Sequence, residues 1–235
     1  MSTMYEQLQA MIEAAHKVVF FGGAGVSTES GIPDFRSVDG LYNTRYKYPP
    51  EEILSHHFFL NDTQEFYRFY RDKMLYKDAK PNAAHMALAA LEKSGKLTAV
   101  ITQNIDGLHQ KAGSQNVLEL HGSVWRNYCT SCGKLFTLDE ILNMSLVPHC
   151  ECGGVIKPDV VLYEESLDSG VMTKSVQALT QADLLIVGGT SLNVYPAAGL
   201  LQYFSGKLVV INKTPTFADA KADLVLQQAI GTVLC

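Results

Sequence analysis

The sequence has no excess of basic residues, since 19 Lys and Arg stand against 24 Asp and Glu for a net charge of −5. It therefore lacks the basic surface typical of dedicated nucleic-acid-binding proteins, and we expect no nucleic-acid partner. No apolar run approaches the roughly 20 residues of a membrane helix. The first 17 residues also lack the basic start and apolar stretch of a secretion signal. These absences predict no membrane association and a cytoplasmic location.

Cysteine is scarce, and four of the five cysteines fall between positions 129 and 152. An odd number clustered in this way is not typical of a disulfide framework. The pattern C-x-x-C, 17 residues and C-x-C predicts that four thiolates close a tetrahedron around zinc, from Cys129, Cys132, Cys150 and Cys152. His149 is an alternative ligand, and four unrelated buried cysteines are the alternative interpretation. Four protein ligands leave no open position, so the metal is expected to be structural.

Short apolar segments alternate with helical patterns along the chain. The segments 17–21, 96–102, 182–188, 207–212 and 222–226 are apolar and end in polar residues or glycine. Residues 82–94 have helical spacing, with Pro81 before them and Gly95 after them. Strands separated by helices predict an α/β protein with a parallel sheet covered on both faces. Residues 38–80 and 128–157 interrupt this alternation and predict a smaller inserted lobe.

The first predicted strand leads into a glycine-rich turn, G-A-G-V-S-T at residues 23–28. Such a turn is where a dinucleotide pyrophosphate normally binds, because the bare backbone lets N–H groups face the phosphates. However, Thr28 replaces the third glycine of G-x-G-x-x-G, and no ribose-binding acid follows at the usual distance. A hydride-transfer dehydrogenase is therefore disfavoured.

The continuation of this turn, G-A-G-V-S-T-E-S-G-I-P-D-F-R at residues 23–36, resembles the sirtuins, the NAD-dependent protein lysine deacylases. The resemblance extends through residues 102–109 (TQNIDGLH), His121-Gly122, the four cysteines, 157–161 (KPDVV), 188–191 (GGTS) and 210–212 (VIN). It implies one catalytic unit over residues 1–235. A Rossmann-like part would comprise 1–37, 81–127 and 158–235, and a small lobe would comprise a helical segment, 38–80, and a zinc-binding segment, 128–157.

The resemblance also implies the residues that bind NAD and act on it. His121 is expected to be the general base, because a neutral imidazole accepts a proton near neutral pH. Asn104 is expected to share the catalytic site and to contact the ribose. The other cofactor contacts implied are Ala24, Ser27, Thr28, Phe35, Arg36, Gln103, Ile105, Asp106, Thr190, Ser191, Asn212 and Ile230.

For the substrate, the resemblance implies acetyl-lysine proteins or peptides bound by strand addition between two loops, 160–167 and 192–195. The residues expected to contact the peptide are Val160, Val161, Leu162, Tyr163, Asn193 and Val194. The sequence departs from the family at Glu164, where a glycine is usual, and this weakens the prediction of substrate affinity. Sirtuins that remove acidic acyl groups resemble one another in a Tyr-x-x-Arg pair in the helical segment. Here Tyr70, and not an arginine, follows Tyr67 by three residues, so the cationic partner for an acidic acyl group is absent and such groups are disfavoured.

The predicted reaction transfers the acetyl group from lysine to ADP-ribose and releases nicotinamide and 2′-O-acetyl-ADP-ribose. A monomer with one structural zinc ion is expected. Two alternatives remain open at this point: an NAD-dependent protein ADP-ribosyltransferase, and a noncatalytic NAD- or zinc-binding interaction module.

Overall fold

The computed structural model describes residues 3–34, 40 and 46–234. Within this part of the chain, none of the helices has the length and apolar character needed to cross a bilayer.

The larger part of the molecule is built on a six-stranded sheet with the order β3-β2-β1-β7-β8-β9, in which every neighbouring pair is parallel. Both β1 and β7 are buried at every residue, as the continuous apolar runs predict. The strands are β1 (Val18–Gly22), β2 (Leu97–Thr102), β3 (Val117–Glu119), β7 (Leu184–Gly188), β8 (Lys207–Ile211) and β9 (Leu224–Leu226).

Helices cover both faces of this sheet and enclose two hydrophobic cores. One core packs Leu8, Leu88 and Ile230 against alternate strand residues such as Phe20. The other packs Leu179 against the opposite face. The helices are α1 (Met4–Ala14), α5 (Ala83–Lys93), α6 (Leu108–Ala112), α8 (Ser169–Gln181) and α9 (Ile230–Leu234). This architecture confirms the predicted α/β class.

A smaller lobe carries the cysteines and an antiparallel sheet with the order β5-β4-β6. Its aromatic helices and this sheet share one core, which includes Phe66, Tyr70, Phe136 and Ile156. The Tyr67 hydroxyl donates to the Ile156 carbonyl and ties the two segments together. The elements are α2 (Pro50–Ile53), α3 (His56–Asn61), α4 (Thr63–Lys73), β4 (Gly122–Cys129), β5 (Leu135–Thr137), α7 (Leu138–Leu142) and β6 (Ile156–Val160). The exact boundaries between the two parts stay a prediction.

Candidate active site

A cavity of about 920 Å³ lies at the carboxyl ends of the parallel strands and extends to the smaller lobe. Its wall includes Ala24 after β1, Gln103 after β2, Gly189 after β7 and Asn212 after β8. Since β2 and β7 flank β1 on opposite sides, the cavity sits where the strand order reverses. Open α/β sheets bind ligands at this position.

The glycine-rich turn after β1 packs directly on the segment after β7. A side chain at Gly25 would bring its Cβ within 2.8 Å of the Gly189 backbone, and one at Gly23 would lie 2.9 Å from the Thr190 Cβ. The Gly25 N–H donates to the Gly189 carbonyl over 2.8 Å. The bare backbone therefore allows two loops of the cavity wall to pack closely, and the cavity that they line lies where a dinucleotide phosphate normally binds.

Ser27, Asn104 and Asp106 form a hydrogen-bonded group in the wall of the cavity. The Ser27 hydroxyl donates to Asp106 Oδ2 over 2.6 Å and accepts from Asn104 Nδ2 over 3.0 Å. Asp106 Oδ1 also accepts from the Leu108 N–H over 2.8 Å, so this carboxylate shapes the turn before α6. Each carboxylate oxygen keeps a second acceptor position, which suits the amide of a nicotinamide.

His121 directly precedes β4, and its ring is fixed by one hydrogen bond. Its Nδ1 donates to the Gln103 carbonyl over 2.9 Å, which makes Nε2 the unprotonated nitrogen. Burial lowers the pKa of the His121 imidazole, and the bond to the Gln103 carbonyl partly opposes this shift. Because His121 lines the cavity, it can present a neutral base there.

Gln103 supplies a further sign that the cavity receives a ligand. Its carbonyl holds His121, while its buried side-chain Nε2 has no hydrogen-bond partner among the described residues. A buried amide donor left unpaired is costly, so an acceptor on a bound molecule would relieve it. A ribose hydroxyl has the chemistry required.

The structure brings most of the predicted site residues together. Those lining the cavity are Ala24, Ser27, Thr28, Gln103, Asn104, Ile105, Asp106, His121, Val160, Val161, Leu162, Tyr163, Thr190, Ser191, Val194, Asn212 and Ile230. Asn193 is exposed and is not part of this wall, although its neighbour Val194 is. Phe35 and Arg36 lie outside the described residues.

The four predicted zinc ligands form a single cluster in the smaller lobe. Their Sγ atoms all lie within 4.8 Å of one another. The Sγ atoms of Cys129 and Cys152 are 3.4 Å apart, and those of Cys132 and Cys150 are 3.7 Å apart. Tetrahedral Zn–S bonds of about 2.3 Å require similar separations, so the cluster fits a structural zinc site. His149 is outside it, and its Nδ1 donates to the Val147 carbonyl.

The backbone around the cysteines favours a thiolate. The N–H groups of Cys132 and Ser131 lower the pKa of Cys129 to about 6. The Gly154 N–H lowers the pKa of Cys152, but hydrogen bonds between its thiol and the neighbouring sulfurs outweigh this effect and raise the pKa to about 12. A divalent cation would reverse this second shift, since it deprotonates its thiol ligands.

Three residues of structural importance were not predicted from the sequence. The Trp125 indole N–H donates to the Asp106 carbonyl over 2.7 Å and fixes the Asp106 turn. Asn82 Nδ2 donates to the Val26 carbonyl over 2.7 Å and steadies the glycine-rich turn. A Cβ at Gly154 would lie 2.6 Å from Cys129 Sγ. The available signals were that Trp125 is the sole tryptophan, that Asn82 begins the predicted helical segment after Pro81, and that Gly154 stands two residues after Cys152.

Comparison with known proteins agrees with this geometry. The Sir2 family model matches residues 23–196. The chain is 59% identical to a Clostridium acetobutylicum protein named NAD-dependent protein deacetylase, over 97% of this chain and 95% of the relative. It is 56% identical to a Clostridium perfringens protein of the same name, over 100% and 98%.

Solved structures extend the similarity to three dimensions. A structure of Sir2 bound to an acetylated peptide has a TM-score of 0.88 and 37% identity, covering 99% of this chain and 96% of that one. A structure of Sir2 with a p53 peptide and NAD+ has a TM-score of 0.88, 37% identity and the same coverage. This chain belongs to the Sir2 family, as the sequence motifs indicate.

Proposed function

We propose that this protein is an NAD-dependent protein lysine deacetylase that releases nicotinamide and 2′-O-acetyl-ADP-ribose. The observation on which this proposal depends is that His121, whose Nδ1 bond to the Gln103 carbonyl leaves Nε2 unprotonated, lines a cavity shared by the glycine-rich turn and the segment after β6. A base, a dinucleotide-type turn and an extended segment thus meet in one place. The names of the relatives, NAD-dependent protein deacetylase, support the same activity.

When bound, NAD would supply a ribose carbon from which nicotinamide can leave and to which the acyl oxygen of the modified lysine can bond. Several described residues would hold it, with the glycine-rich turn and Thr28 at the phosphates and with Thr190, Ser191, Asn212 and Ile230 at the adenosine. Asp106 would accept a hydrogen bond from the carboxamide N–H of nicotinamide, while Ile105 would pack against the nicotinamide ring.

Asn104 and Gln103 would bind the ribose hydroxyls. Phe35 and Arg36 are proposed for the same site on the basis of the motif alone.

His121 would accept a proton at Nε2 from a ribose hydroxyl, so that this hydroxyl can attack the acyl carbon. Water would then supply the oxygen that lets the lysine amine leave, with the acetyl group kept on the ribose oxygen. Its Nδ1 bond to the Gln103 carbonyl keeps the ring in the required tautomer. The peptide would lie along Val160, Val161, Leu162 and Tyr163, facing Asn193 and Val194 across the cleft.

The decisive experiment incubates the purified protein with an acetyl-lysine peptide and NAD and identifies the products by mass spectrometry. We expect the deacetylated peptide, nicotinamide and 2′-O-acetyl-ADP-ribose, with no reaction when either reagent is omitted. ADP-ribose attached to protein without loss of the acetyl group would identify a transferase instead. NAD binding without turnover would identify a noncatalytic module.

The cytoplasmic location and monomeric state stay predictions within this proposal. A reducing compartment suits four thiolate ligands. Cell fractionation and light scattering after size-exclusion chromatography would test the two predictions.

A further inference from the structure

Glu164 has a backbone conformation that its side chain disfavours. Its φ is +76°, and only one other non-glycine residue among those described, Leu192, has a positive φ. The left-handed region favours glycine, which has no Cβ to clash with the backbone. A glutamate at this position therefore needs a compensating interaction that glycine could not make.

His57, at the beginning of α3, provides that interaction. Glu164 Oε2 accepts from the His57 backbone N–H over 3.1 Å, and Oε1 lies 2.7 Å from His57 Nδ1. The first N–H groups of a helix lack partners within the helix, so the carboxylate satisfies one that would otherwise face solvent. The His57 N–H and ring both lower the pKa of Glu164, which therefore stays ionised in this contact.

The backbone on either side makes the same connection. The His56 N–H donates to the Tyr163 carbonyl, and the Tyr163 N–H donates to the Leu54 carbonyl, each over 3.0 Å. Ser55 and Tyr163 are paired as an isolated parallel bridge. The segment that follows β6 is thus joined to the start of α3 by main-chain bonds as well as by the Glu164 side chain.

The charged neighbours support this arrangement. Glu165 Oε1 lies 2.7 Å from His56 Nδ1, and its Oε2 accepts from Lys157 Nζ and from the Leu162 N–H. Because His57 holds the Glu164 carboxylate against α3, the side chain is kept on the α3 side of the segment. Glu164 still lines the cavity, so its side chain forms part of the wall beside the predicted peptide contacts.

We propose that Glu164 is a positioning residue for the peptide substrate, acting through its contact with His57 to hold residues 162–165 against α3. This inference rests on the proposed deacetylase function, because the segment it holds contains the predicted peptide contacts Leu162 and Tyr163. Both partners are about half exposed. Such a pair contributes little to global stability, so its effect should appear in peptide binding.

The test compares Glu164→Gly, Glu164→Gln, His57→Ala and the double variant Glu164→Gly/His57→Ala by steady-state kinetics. We expect Glu164→Gly and His57→Ala each to raise the peptide KM by about threefold or more, with kcat and the NAD KM within about twofold of the unmodified protein. The double variant should raise the peptide KM no more than the more strongly affected single variant does, because the two substitutions remove the same interaction. Glu164→Gln, whose amide oxygen can still accept from the His57 N–H, should retain most of the affinity.

Glu51 offers a matched control, since it is an exposed acidic residue of the same lobe and Glu51→Ala makes the same change of charge. It should leave the peptide KM unchanged. An unchanged or lower peptide KM in Glu164→Gly, additive effects in the double variant, or an equal effect of Glu51→Ala would overturn the proposal.

Hydrogen exchange of residues 162–165 separates this inference from the proposed function. Without peptide or NAD, Glu164→Gly should exchange several-fold faster in this segment, while β1 and β7 stay unchanged. Exchange that does not change would refute the positioning role even if the protein is a deacetylase. Faster exchange in a protein that shows no deacetylation would refute the function and leave the contact established.

Discussion

At the scale of single residues, the state of the His121 ring decides whether the cavity contains a base. Since burial holds the pKa of His121 below the ordinary value of about 6.5, the neutral form persists into mildly acidic solution. The acid limb of kcat/KM against pH, which reports the pKa of the free enzyme, should therefore have its midpoint below pH 6.5. Rates measured from pH 5 to pH 8 would test this, and a midpoint above pH 7 would contradict it.

Replacing this residue gives the complementary prediction. His121→Ala should lower kcat by about 100- to 10,000-fold, the usual range for loss of a general base. Zinc content and the circular dichroism spectrum should not change, because His121 is outside the cysteine cluster. A variant with normal kcat would show that another group accepts the proton.

At the scale of elements, we expect α4 to influence which acyl groups the cavity admits. Tyr70 lines the cavity, and its hydroxyl has no partner among the described residues. Arg71 turns away and donates to the carbonyls of Ile141 and Ser145 over 2.8 and 2.7 Å. A buried carboxylate without a cation costs at least about 1.4 kcal/mol, so kcat/KM for succinyl-lysine should be at least about tenfold below that for butyryl-lysine. Equal values would mean that Lys73 or Lys77, which also line the cavity, reaches the carboxylate.

The start of β4 offers a second prediction at this scale. Gly122 follows His121 with φ of +74°, and a Cβ there would lie 1.9 Å from the Asp159 carbonyl oxygen on β6. Gly122→Ala should therefore lower the free energy of unfolding by about 2 kcal/mol or more, through strain and a displaced strand pair. Thermal denaturation would measure this, with Gly95→Ala as a control of similar φ but open surroundings, outside the zinc-binding segment. Similar losses of unfolding free energy in both variants would show that the positive φ, and not the close approach to Asp159, causes the loss.

The elements also show what a sequence can reveal. Strands β1, β2, β7, β8 and β9 were predictable because burial on both faces leaves a continuous apolar run. In contrast, β3 has three residues with Glu119 at its end and no such run. Most of the cavity wall was predictable because its residues occur in contiguous motifs. The roles of Trp125, Asn82 and the Glu164–His57 contact were not, since each depends on partners distant in sequence that only the folded chain brings together.

At the scale of the whole molecule, the distribution of hydrophobic cores predicts what zinc removal does. The core of the smaller lobe contains Cys129 and Cys150 together with the aromatic residues of α4, whereas the parallel sheet has two cores of its own. The effect of losing the metal should therefore spread to the helical segment and stop at the sheet. A structural zinc site contributes about 10 kcal/mol or more of apparent binding free energy. This exceeds the free energy of unfolding that a small lobe can be expected to have without the metal.

Cys129→Ser, or a strong chelator, should therefore abolish hydrogen-exchange protection in α4, β4 and β6 together while β1, β2 and β7 stay protected. Activity should be lost as well, because Val160 ends β6, His121 directly precedes β4, and both line the cavity. Cys235→Ser provides the control, since this cysteine is outside the predicted ligand set. Loss of protection confined to residues 129–155 would contradict the shared core and would show that the helical segment is stable without the metal.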